Sequence, residues 1–334
     1  MKSTILDYKE LVDSYVKATD WRVKENSTVT YSVGGLILNN SGAITANYWL
    51  SEIYDEEIGN AHKSGDMHIH DLSMLTGYCA GWSLKQLIQE GLGGVGGKIT
   101  SKPASHLATL CNQMVNFLGI MQNEWAGAQA FSSFDTYLAP FVKADNLNYD
   151  QVKKCVESFI YGVNTPSRWG TQAPFSNITL DWTVPADLAE LNCIIGGKEV
   201  DFKYKDCKKE MDMVNKAFIE IMIEGDANGR GFQYPIPNLF LLPVTLTGRK
   251  QKTTSCCLKM TAKYGTPYFS NYVNSDMEPS DVRSMCCRLR LDLRELRKKA
   301  VDTLEAAKAT GSVGVVTINM PRIAYLSTDK EVFL

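Results

Sequence analysis

The densest run of reactive side chains is Gly65-Asp66-Met67-His68-Ile69-His70-Asp71, followed closely by Gly77-Tyr78-Cys79-Ala80-Gly81-Trp82. In a strand His68 and His70 project to the same face, because side chains alternate along extended backbone. Two imidazoles with nearby carboxylates can hold a divalent metal, which would suit a metallohydrolase, or they can form a hydrogen-bonded polar network at a strand end. A metal set wants further ligands, and His62 and His106 are the only other histidines, so no metal is expected.

Three more segments could carry chemistry. Ser284-Met285-Cys286-Cys287-Arg288-Leu289 holds adjacent cysteines, preceded by the run from Met260 to Tyr268. Neighbouring side chains on a strand or loop point in different directions, so at most one of the pair faces a given site and the other packs as a small apolar group. Gly311 to Arg322, GSVGVVTINMPR, is an apolar strand that ends in an amide, a proline and a cation. Asn319 there can bond a sugar hydroxyl at the end of a strand, or it can cap a turn before Pro321. Asn164 to Thr179, NTPSRWGTQAPFSNIT, is too polar and proline-broken for a helix. Such a donor-rich segment suits a loop lining a polyanion or sugar pocket, with Arg168 as charge partner and Ser176 among its donors, or a solvated connection.

The elements that must position these groups show in the apolar periodicity. Spacings of three and four predict helices over Ile5 to Val16, Tyr48 to Ile58, His106 to Met121, Val152 to Ile160 and Met211 to Met222. Shorter β-like segments run over Thr28 to Val33, Asn177 to Trp182, Lys198 to Phe202 and Val313 to Asn319. Helices alternating with short strands predict an α/β architecture, with a barrel as one form of it. Gly91 to Gly97, in GLGGVGGK, reads as a turn or a phosphate-cradling loop. It lacks the GK[ST] ending and a convincing preceding strand. With no internal repeat and no linker, residues 1–334 read as one continuous domain.

Composition removes several function classes. The 334 residues are 44% hydrophobic, enough for a sizeable core. A net charge of -2 gives no global field for holding nucleic acid, so any nucleotide is bound locally. No apolar run approaches the roughly 20 residues that cross a bilayer, and the N-terminus lacks a signal-peptide pattern, which predicts a cytoplasmic protein. The nine cysteines include no CxxC pair, so neither a disulfide framework nor a zinc site is expected.

Taken together, GDMHIHDL, GYCAGWSL, NTPSRWGTQAPFSNITLD, EGDANGR, MTAKYGTPYF, SMCCRLRLD and TGSVGVVTINMPR resemble, in order, the anaerobic (class III) ribonucleoside-triphosphate reductases. The resemblance runs from about Thr28 to Leu326 and weakens over Phe240 to Leu258. It implies the N-terminal part of a ten-stranded α/β barrel of the glycyl-radical enzyme type, acting on ribonucleoside triphosphates. Cys287 matches the cysteine whose thiyl radical abstracts hydrogen from the ribose, and Cys79 matches the second cysteine across the substrate. Asn319 matches the amide near the reacting hydroxyls, and Met285 is placed as in relatives to tune the step or to pack. His68 and His70 would help shape the substrate site.

The same resemblance implies formate as reductant, nucleotide effectors, a radical-SAM activating enzyme and a homodimer. The helix over His106 to Met121 is a candidate for the dimer surface or for the core. No counterpart of the ATP cone or of the C-terminal glycyl-radical and zinc-binding region is recognised, and no segment resembling RVCGYL occurs. The expectation is therefore a chain whose catalysis depends on a radical segment elsewhere, or else a non-catalytic nucleotide-binding or subunit-pairing relative. An exposed apolar edge, with dimerisation or aggregation, is expected where further strands would pair. Leu293 to Thr310 reads as a helix where relatives place glycines, and its basic face (Arg290, Arg294, Arg297, Lys298) meets a triphosphate or solvent.

Overall fold

The structure is a computed structural model, and it describes residues 7–17, 32–93, 100–166, 173–241, 252–272 and 310–327. The first part of the chain is helical: α1 (Tyr8–Lys17), α2 (Val33–Tyr48) and, after a π-helical turn over Trp49–Ile53, α3 (Glu56–Ser64). Ser32 starts α2 by accepting from the Gly35 N–H at 2.8 Å, which satisfies one of the donors a helix start leaves open. Val33 thus belongs to a helix and not to a strand, while the rest of the β-like segment, 28–31, lies outside the described residues. The helix expected over Tyr48 to Ile58 is also interrupted: Tyr54 is extended, with ψ of 149°, and closes the π turn.

The remaining elements alternate. β1 (Met67–Ile69), β2 (Cys79–Trp82), α4 (Leu84–Glu90), α5 (Leu107–Met121), β3 (Gln129–Phe131), α6 (Phe134–Ala144), α7 (Tyr149–Asn164) and β4 (Ser176–Leu180) come first. A short α8 (Ala186–Ala189), the hairpin β5 (Asn192–Ile195) and β6 (Lys198–Lys203), and α9 (Lys208–Glu224) follow. The last are β7 (Ile236–Leu241), α10 (Lys252–Tyr264), β8 (Tyr268–Asn271), β9 (Thr310–Ser312), β10 (Val316–Ile318) and α11 (Met320–Leu326).

The main sheet has the order β8-β7-β4-β3-β2-β9. From β2 to β8 each neighbouring pair is parallel, and β9 joins β2 antiparallel. Strand order therefore advances in one direction with the chain. Crossovers between parallel strands are right-handed, so a monotonic order puts every connecting helix on the same face and leaves the other face as the inner wall of a barrel. β1 and β10 form a separate two-stranded antiparallel sheet.

The helix-side core explains the periodicities. On α9, Met211, Val214, Phe218, Ile221 and Met222 are buried, and on α7 Val152, Val156, Phe159, Ile160 and Val163. Phe134, Phe159 and Phe218 pack as a ring cluster with centroids 5.3 and 6.2 Å apart. Each such side chain contributes about 1.5–3 kcal/mol by leaving water. The α7 start is fixed by a reciprocal cap between Asn148 and Gln151. α5 buries Leu107, Leu110, Cys111, Met114 and Leu118 and packs on α7, so one face of it is core while Ala108, Thr109, Asn112 and Asn116 stay exposed. Gly91 ends α4 with φ of +78°, and Leu92 pairs with Ser101. The glycine-rich stretch thus follows a helix, unlike a strand-borne phosphate loop; residues 94–99 lie outside the described ones.

Candidate active site on the inner face

Registers assign each strand side chain to a face. Trp82, Phe131, Ile178 and Leu239 belong to the helix-side core. Cross-strand partners share a face and successive residues alternate, which puts Gly81, Ala130, Asn177 and Ile236 in one row of the inner face. One pleat repeat toward the strand starts, Cys79, Ala128, Phe175 and Tyr234 form the row before it. Toward the strand ends, Thr179, Asn238 and Tyr268 form the row after it. Inner-face side chains are thus small or polar over β2 and β3 and carry amides over β4 and β7. Ser176 shares the face of Ile178, away from Cys79, and its Oγ is buried with no hydrogen-bond partner among the described residues.

Cys79 is fully buried. The Ala128 N–H donates to its Sγ at 3.1 Å, so the thiol sits in a fixed place with a donor aimed at sulfur. Two glycines make that place. A Cβ on Gly127 would lie 2.8 Å from Cys79 Sγ, and one on Gly311 would lie 2.2 Å from the Cys79 carbonyl oxygen. The first leaves room for the sulfur, and the second lets β9 close on β2. Cys79 pairs in register with Ser312, so two motifs more than 200 residues apart meet at this sulfur.

β1, from GDMHIHDL, pairs with β10, the second half of the motif that supplies β9. His68 is opposite Thr317, and His70 Nε2 lies 2.7 Å from Thr317 Oγ1. The His68 and His70 rings meet edge-on at 4.7 Å, with His62 5.2 Å from His68, so the two strand histidines do share a face. His62 Nδ1 accepts from the Ile69 N–H at 3.0 Å. Its pKa is lowered by burial and by the neighbouring His68 and Lys63, in keeping with a ring nitrogen already used as an acceptor. Among the described residues no group of three or more His, Cys, Asp or Glu could hold a metal ion.

Asn319 follows β10 and caps α11. Its Oδ1 accepts from the Arg322 N–H at 3.1 Å and its Nδ2 donates to the Gly65 carbonyl at 2.8 Å. Arg322 in turn donates to Asp66 at 2.7 Å, and the Ser64 hydroxyl and Arg322 hold the Asp66 pKa below the usual carboxylate value. The amide therefore ties the two motifs together, leaving one lone pair and one N–H for anything else.

Cys287, Cys286, Met285, Arg168 and the basic residues Arg290, Arg294, Arg297 and Lys298 lie outside the described residues. What sequence reasoning missed is a buried anchor at the strand ends. Asp135 accepts from the Thr136, Asp181 and Trp182 N–H groups and from Asn215 Nδ2. It also missed the inner-face amides Asn177 and Asn238. Only the placement of Asn177 beside Ser176 in a candidate loop hinted at them.

The chain matches the anaerobic ribonucleoside-triphosphate reductase family over residues 25–334. Among solved structures, it is similar to the anaerobic ribonucleotide reductase from Thermotoga maritima in complex with dATP and CTP. That match has 18% identity and a TM-score of 0.64 over 98% of this chain and 58% of the other. The same enzyme with MES in the active site matches at 20% identity and a TM-score of 0.66, over 97% of this chain and 54% of the other. A further anaerobic ribonucleotide reductase matches at 21% identity and a TM-score of 0.64, over 97% and 52%. These likenesses establish the fold, and the chain spans less than two thirds of the length of those proteins. No curated protein matches the chain by sequence. No helix among the described residues is long and apolar enough to cross a membrane.

Proposed function

The chain belongs to the anaerobic ribonucleoside-triphosphate reductase family, and we propose from that premise that its inner face is the substrate wall of a reductase that converts ribonucleoside triphosphates to deoxyribonucleoside triphosphates for DNA synthesis. The observation that carries the reading is the fixed, buried thiol of Cys79 on the inner face of a barrel wall, closed in by β9, the Thr310–Ser312 strand.

Loss of a ribose 2'-hydroxyl is hard by polar steps alone. Abstraction of the C3' hydrogen by a thiyl radical on Cys287 makes the C2' hydroxyl a feasible leaving group once protonated, and it departs as water. The single S–H of Cys79 gives one hydrogen, and formate supplies the two electrons and the second hydrogen and leaves as carbon dioxide. A proton from solvent replaces the one that departs with water, and Cys287 returns its hydrogen to C3', which regenerates the thiyl radical. Nucleotide, formate and a proton thereby yield deoxynucleotide, carbon dioxide and water. The radical on Cys287 is set by a glycyl radical on a segment made competent by a radical-SAM activating enzyme. Zinc belongs with that segment, while nucleotide effectors act at the surface of a cytoplasmic homodimer. His68 and His70 shape the floor beside Asn319, Met285 neighbours Cys287, and Arg168 serves the triphosphate.

The test is anaerobic reduction of CTP with formate and activating enzyme, with and without a supplied glycyl-radical segment. Deoxynucleotide is expected only with that segment, and Cys79→Ala is expected to lower turnover by at least a thousandfold with unchanged folding. No product in either case would favour a second reading, a nucleotide-binding or subunit-pairing relative without chemistry. The commitment of the Asn319 amide to a helix cap points that way.

A further inference from the structure

The inner face holds a feature that the radical chemistry does not use. Asn177 on β4 and Asn238 on β7 point to the same side, and neither is more than 1% exposed. Their orientations follow from one another. Asn177 Nδ2 donates to the Ile236 carbonyl at 2.8 Å, and a carbonyl can only accept, so the orientation of the Asn177 amide is settled. Its Oδ1 then faces Asn238, which must offer its Nδ2, at 3.4 Å. The remaining atom, Asn238 Oδ1, is buried and has no hydrogen-bond partner among the described residues. Thr179, opposite Asn238 in the ladder, has its hydroxyl oxygen engaged by the Ser133 N–H at 2.8 Å.

A buried acceptor left open is costly and rare, and a ligand, like an ordered water or an ion, can supply the missing donor. This inference rests on the reading of the inner face as a nucleotide site. On that reading the reacting sugar lies at Cys79. Asn238 is three strands away, on the order of 14 Å across the sheet, too far to share the sugar's reacting carbons. A nucleotide extends from its sugar as a triphosphate, whose oxygens are acceptors, and as a base. Only the base offers N–H donors to an open carbonyl. We propose that Asn238 is a positioning residue whose Oδ1 accepts an N–H from the nucleobase of the substrate, with Asn177 holding it in that orientation. Each common base has an N–H on its pairing edge, so one acceptor orients the base without selecting among the four.

The test measures equilibrium binding of CTP and of base-free ribose 5-triphosphate to the whole chain, with melting temperature read in parallel. Asn238→Leu is expected to weaken CTP binding about tenfold, to leave ribose 5-triphosphate binding unchanged and to leave the melting temperature near that of the wild type, since it removes one unmet acceptor and deprives Asn177 Oδ1 of its long 3.4 Å donor. Asn238→Thr, whose hydroxyl can donate to Asn177 and still accept from a base, is expected to stay within about threefold of the wild type. Equal loss for both ligands, a Thr variant as weak as the Leu variant, or CTP binding that Asn238→Leu leaves intact would each overturn the proposal alone. Failure of the wild-type chain to bind either ligand would overturn the nucleotide-site reading, and the proposal with it.

Discussion

Asp135 shows how much of this site depends on side chains that do no chemistry. Each carboxylate oxygen takes two donors, Oδ1 from Thr136 N–H and Asp181 N–H, Oδ2 from Trp182 N–H and Asn215 Nδ2, at 2.9–3.0 Å. Burial pushes the Asp135 pKa up, against the pull of those donors. The group thus joins the ends of β3 and β4 to α9, and Thr136 Oγ1 extends the network to Asp181 at 2.6 Å. An amide at this position keeps one acceptor and turns an NH2 group toward two donors, so Asp135→Asn is expected to cost on the order of 3 kcal/mol or more. Urea unfolding followed by tryptophan fluorescence measures it; an unchanged midpoint would show that the carboxyl is already protonated and the network looser than drawn. None of this was legible in the sequence, where Asp135 in SSFDTYL reads as an ordinary first-turn acid of a helix. Cys79 and the paired histidines were legible because their residue types are rare and close together. Asn238 was not, because its meaning comes from a neighbour 61 positions away.

At the scale of elements, periodicity located what buries one face. The reading of α5, α7 and α9 succeeds because each presents apolar side chains every three or four residues to one shared core. It fails at Tyr48 to Ile58, where the chain breaks at Tyr54 and Asp55 with neither glycine nor proline to mark it. The strands β1, β2, β3, β9 and β10 have three or four residues each, too few for alternation to show, and the pairing of β1 with β10 spans about 250 positions. One of the ties at this seam titrates. His62, on α3, accepts from the first N–H beyond the centre of β1, at Ile69, and its pKa lies below the ordinary 6.5. The unfolded chain therefore binds more protons than the folded one below that value. The contribution of this tie is complete above about pH 6.5 and is lost as pH falls through the unfolded pKa toward the folded one. Melting temperature is expected to drop more steeply between pH 7 and pH 5, on the order of that window, in the wild type than in His62→Gln, whose amide oxygen accepts without titrating. Parallel curves would remove His62 from the seam.

At the scale of the whole molecule, the barrel reading followed from motif resemblance, and the structure supplies its physical form: a parallel wall wound in one direction, with helices outside and, inside, small side chains over β2 and β3 and amides among aromatic and aliphatic ones over β4 and β7. The matched proteins extend well beyond the stretch this chain covers. Around the β1–β10 pair the surface is apolar in a way that a finished barrel wall is not. Val313 is 91% exposed and Tyr325 87%, with Val316, Ile318, Met320 and Leu326 each at least half exposed. Scattered exposed apolar residues are ordinary, but six within the fourteen positions 313–326, on and around β10 and α11, make an apolar patch along one stretch of the chain. Among the described strands β10 pairs with β1 alone, so the patch adjoins a strand edge that can accept another strand. The chain by itself is expected to self-associate in the micromolar range through this surface, on the order of the affinity that a modest apolar interface provides. Sedimentation velocity over a concentration series tests it. The Val316→Lys/Tyr325→Lys variant should move the distribution toward the monomer without changing the melting temperature by more than about 3 °C. A wild-type chain that stays monomeric across the series would mean that this surface is covered within the chain itself, and the expectation of an open barrel edge would fall.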